Sequence, residues 1–530
     1  MTPDAAARAP AAEISPDTPV GVIGAGTMGA GIAQVAALAG HPVLLHDVER
    51  DRIAATVAGL HGQLGMLAER GKLAPTDAAA AAERIGAAAD LDALRPAGLV
   101  IEAIVESLRA KRELLAELED VVKPETILAS NTSSLSIDAM AAGLRNPGRV
   151  VGMHFFNPAP VMRLVEVVHG SLTEPAAVDA VRAVAGAWGK IAVPVASSPG
   201  FIVNRVARPF YGEAHRLVEE GTADPATIDA LLREAGGFRM GPLELTDLIG
   251  QDVNLAVCTS VWEATNFDPR YAPSIWQRGL VEAGRLGRKS GRGVYDYEHA
   301  TPTTPAPTTP APATPGPATA APAAVPASVR AGVGLGPLEP LVARAVAAGV
   351  PVDTGGLPGE LLFPSARATL TTGTLATEAP GGLPLVTLDL ALDYRHATRL
   401  AVAAGPRCAP EALAEVVGFL QAAGLAVSVV VDTPGLVVMR TVVRLVNEAA
   451  DLAGRGVAGA ADIDLAMRYG ANYPIGPLEW GDRIGTERVR QVLDAIEDRY
   501  RDGRYRPCLW LRSRAGRSLR GPAAGREESQ

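Results

Sequence analysis

Short apolar runs alternate with stretches of helical length over the first two hundred residues. The runs are rich in Val, Ile and Leu, and several end in a small or polar residue: PVGVIGAG, PVLLHD, GLVIEAI, TILASN, RVVGMH, RLVEVV and IAVPV. Between most of them lie Ala-rich or charged stretches such as TMGAGIAQVAALAG and LRAKRELLAELEDVV. This alternation predicts βαβ units and therefore an α/β domain with a mostly parallel sheet.

The hydrophobic period changes near residue 196. After residue 199, the stretches FIVNRVARPFYGEAHRLVEEG and DPATIDALLREAG repeat their apolar positions at helical spacing. The sequence therefore predicts a sheet domain over 18–197, followed by an all-α domain over 198–297.

A segment of biased composition follows the helical domain. Residues 301–326 contain only Thr, Pro, Ala, Gly and Val, and nine of the 42 prolines lie there. Such a composition lacks the apolar bulk for a core and favours extended conformers. We expect a linker over 298–330, a disordered leader over 1–17 and a tail over 516–530.

The helical domain occurs twice along the chain, and the two copies align without a gap. PGFIVNR (199–205) matches PGLVVMR (434–440), and GPLELTDLIG (241–250) matches GPLEWGDRIG (476–485). Of the 52 positions in 199–250, 20 are identical to their partners, against about 3 expected by chance. We predict a second helical domain over 431–515, preceded by a reduced α/β remnant over 331–430.

A glycine-rich turn follows the first strand. Gly24, Gly26 and Gly29 have the G-x-G-x-x-G spacing, and Asp47 ends the next strand. Gly24 allows the tight turn, Gly26 lets a pyrophosphate approach the backbone, and Gly29 lets helix and strand pack closely. The helix start at Thr27 and Met28 offers free N–H groups to the anion. These residues predict a dinucleotide site.

Asp47 bears on which dinucleotide binds. Its carboxylate would accept hydrogen bonds from the ribose and repel a 2′-phosphate, which favours NAD over NADP. Flavin adenine dinucleotide uses a similar fingerprint and stays an alternative, as does a glycine turn in an unrelated sheet.

A histidine ends one strand and a glutamate lies on the next, in HFFNPAPVMRLVE. His154 follows RVVGM, while Ser133 and Ser134 follow TILASN, so all three should lie at the ligand side of the sheet. Imidazole suits the removal of a hydroxyl proton at neutral pH, and Glu166 could fix its tautomer. Simple packing of the histidine against the aromatic residues is the alternative.

Five motifs together resemble the L-3-hydroxyacyl-CoA dehydrogenases over residues 18–297: NTSSLSI, HFFNPAPVMRLVEVV, PGFIVNR, GPLELTDLIG and GRLGRKSGRGVYDY. The resemblance implies a Rossmann domain, then a helical domain, with the active site in a cleft between them. It implies that His154 is the general base, that Glu166 is its partner, and that Ser133 and Asn204 hold the substrate oxygens. It also implies cofactor contacts from Asp47, Glu106, Lys111, Ser133, Asn157 and Lys289.

The C-terminal motifs GANYPIGPLEW and RYRPCLWL resemble longer members of this family. Such members act on 3-hydroxyadipyl-CoA in phenylacetate and adipate breakdown, which makes this thioester the expected substrate. 3-Hydroxybutyryl-CoA is the alternative. A non-catalytic NAD-binding protein and a dehydrogenase of free 3-hydroxy acids are the competing classes of function.

The second copy lacks the candidate catalytic residues of the first. When the gapless alignment is extended backward, Asn204 matches Met439, His154 matches Asp389, Glu166 matches Ala401 and Ser133 matches Ala368. GVGLGP (332–337) is at best a remnant of the glycine turn. We expect a non-catalytic copy that docks on the first helical domain, where a partner subunit would lie in a shorter enzyme. The protein would then be a monomer with pseudo-dimeric helical domains, or a homodimer.

The net charge and the cysteine content indicate which kinds of partner and site are not expected. The formal net charge of -9 argues against a nucleic-acid partner, and no apolar run is long enough for a membrane helix. Cys258, Cys408 and Cys508 lie far apart and predict neither a metal site nor a disulfide framework, which fits a reducing cytoplasm.

We predict that His154→Asn removes most turnover and leaves NADH binding intact, because only the proton acceptor is lost. Steady-state kinetics and an NADH titration measure both. A near-normal kcat would contradict the assignment of His154 as the base.

Overall fold

The chain forms two compact units. In the computed structural model, which describes residues 14–298, 316–514 and 516–521, the first unit comprises 14–205 with 455–471, and the second comprises the other described residues. Most of the predicted leader, the Thr/Pro-rich residues 299–315 and the tail from 522 onward lie outside the described residues. Across the described ranges, no helix is long and apolar enough to cross a membrane.

The first unit is built on an eight-stranded sheet of order β3-β2-β1-β4-β5-β6-β7-β8. Its strands are β1 (Val20–Ile23), β2 (Val43–His46), β3 (Ile85–Ala87), β4 (Leu99–Glu102), β5 (Ile127–Ser130), β6 (Val150–Phe155), β7 (Leu164–His169) and β8 (Ile191–Ala196). Its helices are α1 (Thr27–Leu38), α2 (Arg50–Glu69), α3 (Pro75–Glu83), α4 (Leu108–Val121), α5 (Ile137–Ala141), α6 (Pro175–Ala187) and α7 (Val203–Val206, at the unit boundary).

All pairings in this sheet are parallel except β6 with β7. The central strands β1, β4 and β5 are buried throughout, as continuous apolar runs covered on both faces should be. The predicted α/β domain with a mostly parallel sheet is confirmed. The antiparallel step matters for function, because its register sets His154 directly opposite Glu166.

One helix from the second helical copy belongs to this first unit. Helix α16 (Ala460–Gly470) packs on β7 and β8. Just before it, the carbonyl of Val457 accepts a hydrogen bond of 2.8 Å from the backbone N–H of Ala196, the last residue of β8. The outer strands of the sheet are therefore covered by residues far away in sequence.

The second unit contains helices of both copies and a seven-stranded sheet of order β10-β9-β11-β12-β13-β14-β15. Its helices are α8 (Arg208–Glu219), α9 (Pro225–Glu234), α10 (Pro242–Ile249), α11 (Gln251–Ala264), α12 (Ile275–Glu282), α13 (Glu339–Ala347), α14 (Pro410–Ala422), α15 (Val438–Gly454), α17 (Pro477–Ile484), α18 (Thr486–Tyr500) and α19 (Leu509–Ser513). Its strands are β9 (Val329–Ala331), β10 (Val352–Thr354), β11 (Glu360–Leu362), β12 (Arg367–Leu370), β13 (Leu385–Leu388), β14 (Arg399–Ala404) and β15 (Ala426–Val429).

The duplication extends further back than the helical domain. The gapless alignment of the two copies places the starts of β6, β7, β8 and α6 on the starts of β13, β14, β15 and α14, and α6 and α14 have the same length. Even the unusual backbone repeats, since Phe201 (φ 49°) corresponds to Leu436 (φ 53°). The predicted order of sheet, helices, reduced sheet and repeated helices is confirmed.

Strand pairing corrects one position of the alignment. Val150 corresponds to Leu385, and these residues pair with Leu128 and Arg367 respectively, so Leu128 corresponds to Arg367. The first copy has more residues than the second between these paired strands, which the gapless alignment ignored. Ser133 therefore corresponds to Thr372, and its match to Ala368 was wrong.

The two copies exchange one helix each. In the second unit, helix α9 of the first copy packs on β14. There the backbone N–H of Val431 donates to the carbonyl of Thr222 at 3.0 Å, which is the equivalent of the bond from Ala196 to Val457 with the two copies interchanged. Each sheet is thus covered by the second helix of the opposite copy.

Part of the predicted linker lies on the second sheet. The backbone N–H of Ala320 donates to the carbonyl of Val427 on β15, and that of Ala323 donates to the Gln421 side chain. Ala320 thus uses a backbone group at the free edge of this sheet. This part of the segment is therefore attached to the second sheet, although its composition predicted a spacer.

A buried ion-pair network joins helices α8 and α15. Glu213 is fully buried and contacts Arg440 at 2.8 Å and Arg444 at 3.4 Å. The hydroxyl of Tyr505 also donates to Glu213. Burial raises the pKa of Glu213, but the two guanidinium groups outweigh burial and lower it from 4.5 to about 2. Charges from both helical copies thereby satisfy each other inside the second unit.

We predict that Glu213→Gln lowers the free energy of unfolding at pH 7 by about 3 kcal/mol, because it leaves buried guanidinium charge uncompensated. A carboxylate whose pKa is lowered on folding stabilises the protein above pH 4.5, and this contribution is lost as the pH falls toward 2. Urea unfolding of both proteins between pH 3 and 7 measures this difference, which should shrink at low pH.

The exposed Glu263→Gln provides the matched control. It should leave the unfolding free energy unchanged across this pH range. A Glu213→Gln variant as stable as the parent at pH 7 would contradict the role of the network.

Candidate active site

The histidine at the end of β6 is held by a carboxylate on the neighbouring strand. His154 Nδ1 lies 2.7 Å from Glu166 Oε2. Both side chains are buried, Glu166 completely, and the rings of Phe156 and Phe201 pack on the imidazole with centroids 4.5 and 5.8 Å away. A carboxylate on Nδ1 favours the tautomer whose Nε2 is free to accept a proton.

The second oxygen of Glu166 holds the segment that carries Asn204. Glu166 Oε1 accepts hydrogen bonds of 3.0 Å from the backbone N–H groups of Ile202 and Val203. Phe201 before them has left-handed backbone, a conformation that costs a bulky residue about 1 kcal/mol or more. The carboxylate therefore fixes His154 on one side and the start of α7 on the other.

Ser133 and Asn204 lie together in this first unit. Asn204 Nδ2 is 3.4 Å from the carbonyl oxygen of Ser133. The loop that carries Ser133 is fixed by Glu106, whose Oε1 accepts bonds from Thr132 Oγ1 (2.7 Å) and the backbone N–H of Ser133 (2.9 Å). Burial raises the pKa of Glu106, but the bond from Thr132 and the charge of Lys111 outweigh it, and the pKa lies below its ordinary value.

The glycine turn meets the requirements of a dinucleotide. Gly24 has φ 101° and a Cβ there would lie 2.6 Å from the carbonyl oxygen of Ala103, while a Cβ on Gly29 would lie 1.7 Å from the carbonyl oxygen of Gly24. On Gly26 a Cβ would meet no described atom within 4 Å. Gly24 and Gly29 are thus needed by the fold, whereas the space beside Gly26 is open for a pyrophosphate.

Asp47 lies at the end of β2 beside this turn. Its carboxylate accepts the backbone N–H groups of Ala25 (2.8 Å) and Glu49 (2.9 Å). Burial raises its pKa, but these backbone bonds outweigh it and the pKa is lowered. A carboxylate has further lone pairs, so an ionised Asp47 suits a ribose and opposes a 2′-phosphate.

Of three further residues predicted to contact the cofactor, Lys111 and Lys289 form ion pairs within the protein. The buried Lys111 places Nζ 2.8 Å from both oxygens of Glu102 and 3.4 Å from Glu106. Asn157 is exposed after β6. Lys289, in the second unit, pairs with Asp252 at 2.6 Å. Their contacts with a cofactor stay predictions, as do those of Thr27 and Met28.

Residues that position the site escaped the sequence analysis. Glu102 forms an ion pair with the buried Lys111 and accepts a hydrogen bond from the hydroxyl of Ser130. Asn131 Oδ1 accepts the backbone N–H of Phe155 at 2.8 Å and so joins the loop after β5 to the end of β6. A charged residue inside the apolar run GLVIEAI was the available signal for Glu102.

In the second copy, other residues replace the pair of His154 and Glu166. Asp389, at the position of His154, is completely buried and accepts the backbone N–H groups of Val437, Val438 and Met439 at 2.8–3.0 Å. Val437 and Val438 correspond to Ile202 and Val203. A buried carboxylate therefore accepts the N–H groups of the helix start in both copies, but in the second copy it comes from the position of His154 and not from that of Glu166.

Three family descriptions match the chain. "3-Hydroxyacyl-CoA dehydrogenase, NAD binding domain" matches residues 19–198. "3-Hydroxyacyl-CoA dehydrogenase, C-terminal domain" matches 200–297 and again 435–527. "3-Hydroxybutyryl-CoA dehydrogenase reduced Rossmann-fold domain" matches 369–434. The match thus follows the duplication seen in the fold.

Relatives of two lengths are similar to this chain. 3-Hydroxyadipyl-CoA dehydrogenase of Escherichia coli is 43% identical over 94% of this chain and 97% of its own. 3-Hydroxybutyryl-CoA dehydrogenase of Bradyrhizobium diazoefficiens is 43% identical over 53% of this chain and 96% of its own. The crystal structure of 3-hydroxybutyryl-CoA dehydrogenase from Escherichia coli superimposes with a TM-score of 0.84 at 40% identity, covering 94% of this chain and 98% of that one.

We predict that Gly26→Ala weakens NADH binding at least about 10-fold, because a methyl group there occupies the space needed by the pyrophosphate. Its melting temperature should stay near that of the parent, since the methyl meets no protein atom. Gly29→Ala is the contrasting variant and should fail to fold stably. NADH fluorescence titrations and thermal melts measure both effects, and unchanged affinity in Gly26→Ala would refute the placement of the dinucleotide.

Proposed function

The chain belongs to the 3-hydroxyacyl-CoA dehydrogenase family, and from this premise we propose how it acts and on what. Its residues oxidise the (S)-3-hydroxyl group of an acyl-CoA thioester to the 3-oxo group with NAD as cofactor, and 3-hydroxyadipyl-CoA is the preferred substrate. The observation that carries the proposal is Glu166, which joins the base His154 to the segment of Asn204 through its two oxygens.

His154 removes the proton from the substrate hydroxyl. With Nδ1–H donated to Glu166 at 2.7 Å, Nε2 accepts that proton and the ring becomes imidazolium. The buried carboxylate stabilises this charge, since it has no water to lose at that moment. NAD, when bound, supplies the acceptor for the hydride that leaves C3.

Ser133 and Asn204 orient the substrate oxygen. A hydroxyl and a carboxamide on neighbouring elements provide hydrogen-bond donors beside one another. Glu106 holds one element and Glu166 the other, so neither donor has to be ordered at the moment of reaction. Lys289 and Asn157 remain proposed contacts to the cofactor.

The choice of acyl chain rests on the relatives. The relative that spans nearly the whole chain and is named for its substrate acts on 3-hydroxyadipyl-CoA, whereas the shorter relative of half the length acts on 3-hydroxybutyryl-CoA. The Escherichia coli crystal structure carries the latter name at full length. 3-Hydroxybutyryl-CoA is therefore the second candidate.

We also propose that the second copy takes the place that a partner subunit would take in a shorter enzyme. The exchanged helices, each tied by an equivalent backbone bond, support this arrangement, as does the buried network of Glu213 with Arg440 and Arg444. The folded chain would then carry one complete catalytic site per two helical copies.

An NADH-linked assay with three substrates tests the proposed activity. We expect kcat/KM for 3-hydroxyadipyl-CoA to exceed that for 3-hydroxybutyryl-CoA by about 10-fold or more, and free 3-hydroxybutyrate to be a poor substrate. A preference for the butyryl ester would select the second candidate. Faster turnover of the free acid would overturn the thioester assignment.

A further inference from the structure

Helix α16 of the second copy reaches the groups around His154. Its last residue, Gly470, lies against three side chains of the first copy: a Cβ placed on it would be 2.5 Å from Leu164 Cδ2, 2.9 Å from Val203 Cγ2 and 3.6 Å from Phe156 Cζ. The first two distances are shorter than side chains tolerate, so the helix approaches this closely only because position 470 has no side chain.

Each of the three neighbours adjoins the catalytic machinery. The Phe156 ring packs on His154 with centroids 4.5 Å apart. Val203 donates its N–H to Glu166 and directly precedes Asn204. Leu164 is two residues before Glu166 on β7, so both side chains point to the same face of the sheet. A displacement at position 470 would therefore reach the base, its carboxylate and the asparagine together.

The helix is fixed to the sheet at both ends. At its C-terminal end, the guanidinium of Arg163 lies 5.0 Å from the centroid of the Tyr469 ring. Before its N-terminal end, the carbonyl of Val457 accepts the backbone N–H of Ala196. Between them Ile463, Ala466 and Met467 are completely buried. The helix cannot easily withdraw from an added side chain.

The reciprocal position provides a comparison within the same chain. Residue 470 corresponds to Ala235, which directly follows helix α9 and is almost completely buried. A methyl group is thus accommodated where the sheet carries no His/Glu pair, and glycine stands where it does.

We propose that Gly470 is a positioning residue for the reaction, and that α16 of the otherwise non-catalytic second copy forms the support behind His154, Glu166 and Asn204. The inference rests on the proposed function, since it concerns the rate of that reaction. The second copy would then contribute to catalysis in the first through the packing of one helix.

The test compares Gly470→Val with Ala461→Val, which adds a similar bulk to an exposed position of the same helix. In Gly470→Val we expect kcat for the preferred acyl-CoA to fall about 10- to 100-fold through misplacement of the base and donors. NADH affinity should stay within about twofold, because α16 packs on β7 and β8, whereas the glycine turn follows β1. Ala461→Val should match the parent in kcat, KM and melting temperature.

A compensating variant separates positioning from general damage. Gly470→Ala should lower kcat less than the valine variant, and Leu164→Val in the same chain removes the atom at 2.5 Å and should restore most of the loss. A Gly470→Val protein with parental kcat and KM would overturn the proposal, and so would a loss of kcat in Gly470→Ala that Leu164→Val does not restore. A parent chain inactive on every acyl-CoA would instead refute the proposed function.

Discussion

In both halves of this protein, a buried carboxylate from the sheet accepts the backbone N–H groups at the start of a helical segment. The rest of each half is arranged around this interaction. In the first half, Glu166 accepts two backbone N–H groups of the segment and the Nδ1–H of His154. In the second half, the equivalent backbone N–H groups of Val437 and Val438 donate to Asp389, which follows β13. A completely buried carboxylate is unfavourable unless its oxygens are occupied by donors, and a turn with left-handed Phe201 or Leu436 needs a partner that holds it. The duplicated fold kept the carboxylate and changed the residue that supplies it.

Glu166 has a structural task in addition to the catalytic task that we propose for it. Asp389 is one methylene shorter than glutamate and follows β13 at the position of His154, whereas Glu166 lies on β7, whose counterpart is β14. It accepts the N–H groups at the helix start, as Glu166 does in the first copy, and itself occupies the position of His154. Because the second copy folds with this direct contact, the histidine in the first copy is not required to close the structure. The pairing of His154 with Glu166 fits the proton transfer that we propose, and the four residues assigned to it, Ser133, His154, Glu166 and Asn204, lie in one compact unit.

The two copies depend on each other for packing. Each sheet is covered by the second helix of the other copy and is tied to it by an equivalent backbone bond. The buried charges of Glu213, Arg440 and Arg444 come from both copies and would be costly if either were removed. In a chain built in this way the second copy contributes to packing, although it lacks the His/Glu pair of the first copy. Helix α16 of the second copy packs on β7 and β8 of the first copy, with Gly470 close to Leu164 and Val203.

The sequence by itself determined the order of the elements and the family, and it suggested the chemistry that we propose. Local periodicity predicts strands and helices, the glycine spacing predicts the turn, and His154 with Glu166 lies on adjacent strands because the loop between them is short. Only the tertiary structure decided which distant groups meet: Glu106 with the loop of Ser133, Lys111 with Glu102, Asp389 with α15, and Gly470 with Leu164 and Phe156. Neither spacing nor composition predicts these contacts, because they depend on which sheet a helix covers and on strand register. Strand register also moved the partner of Ser133 from Ala368 to Thr372, because insertions between strands leave no trace in a gapless alignment.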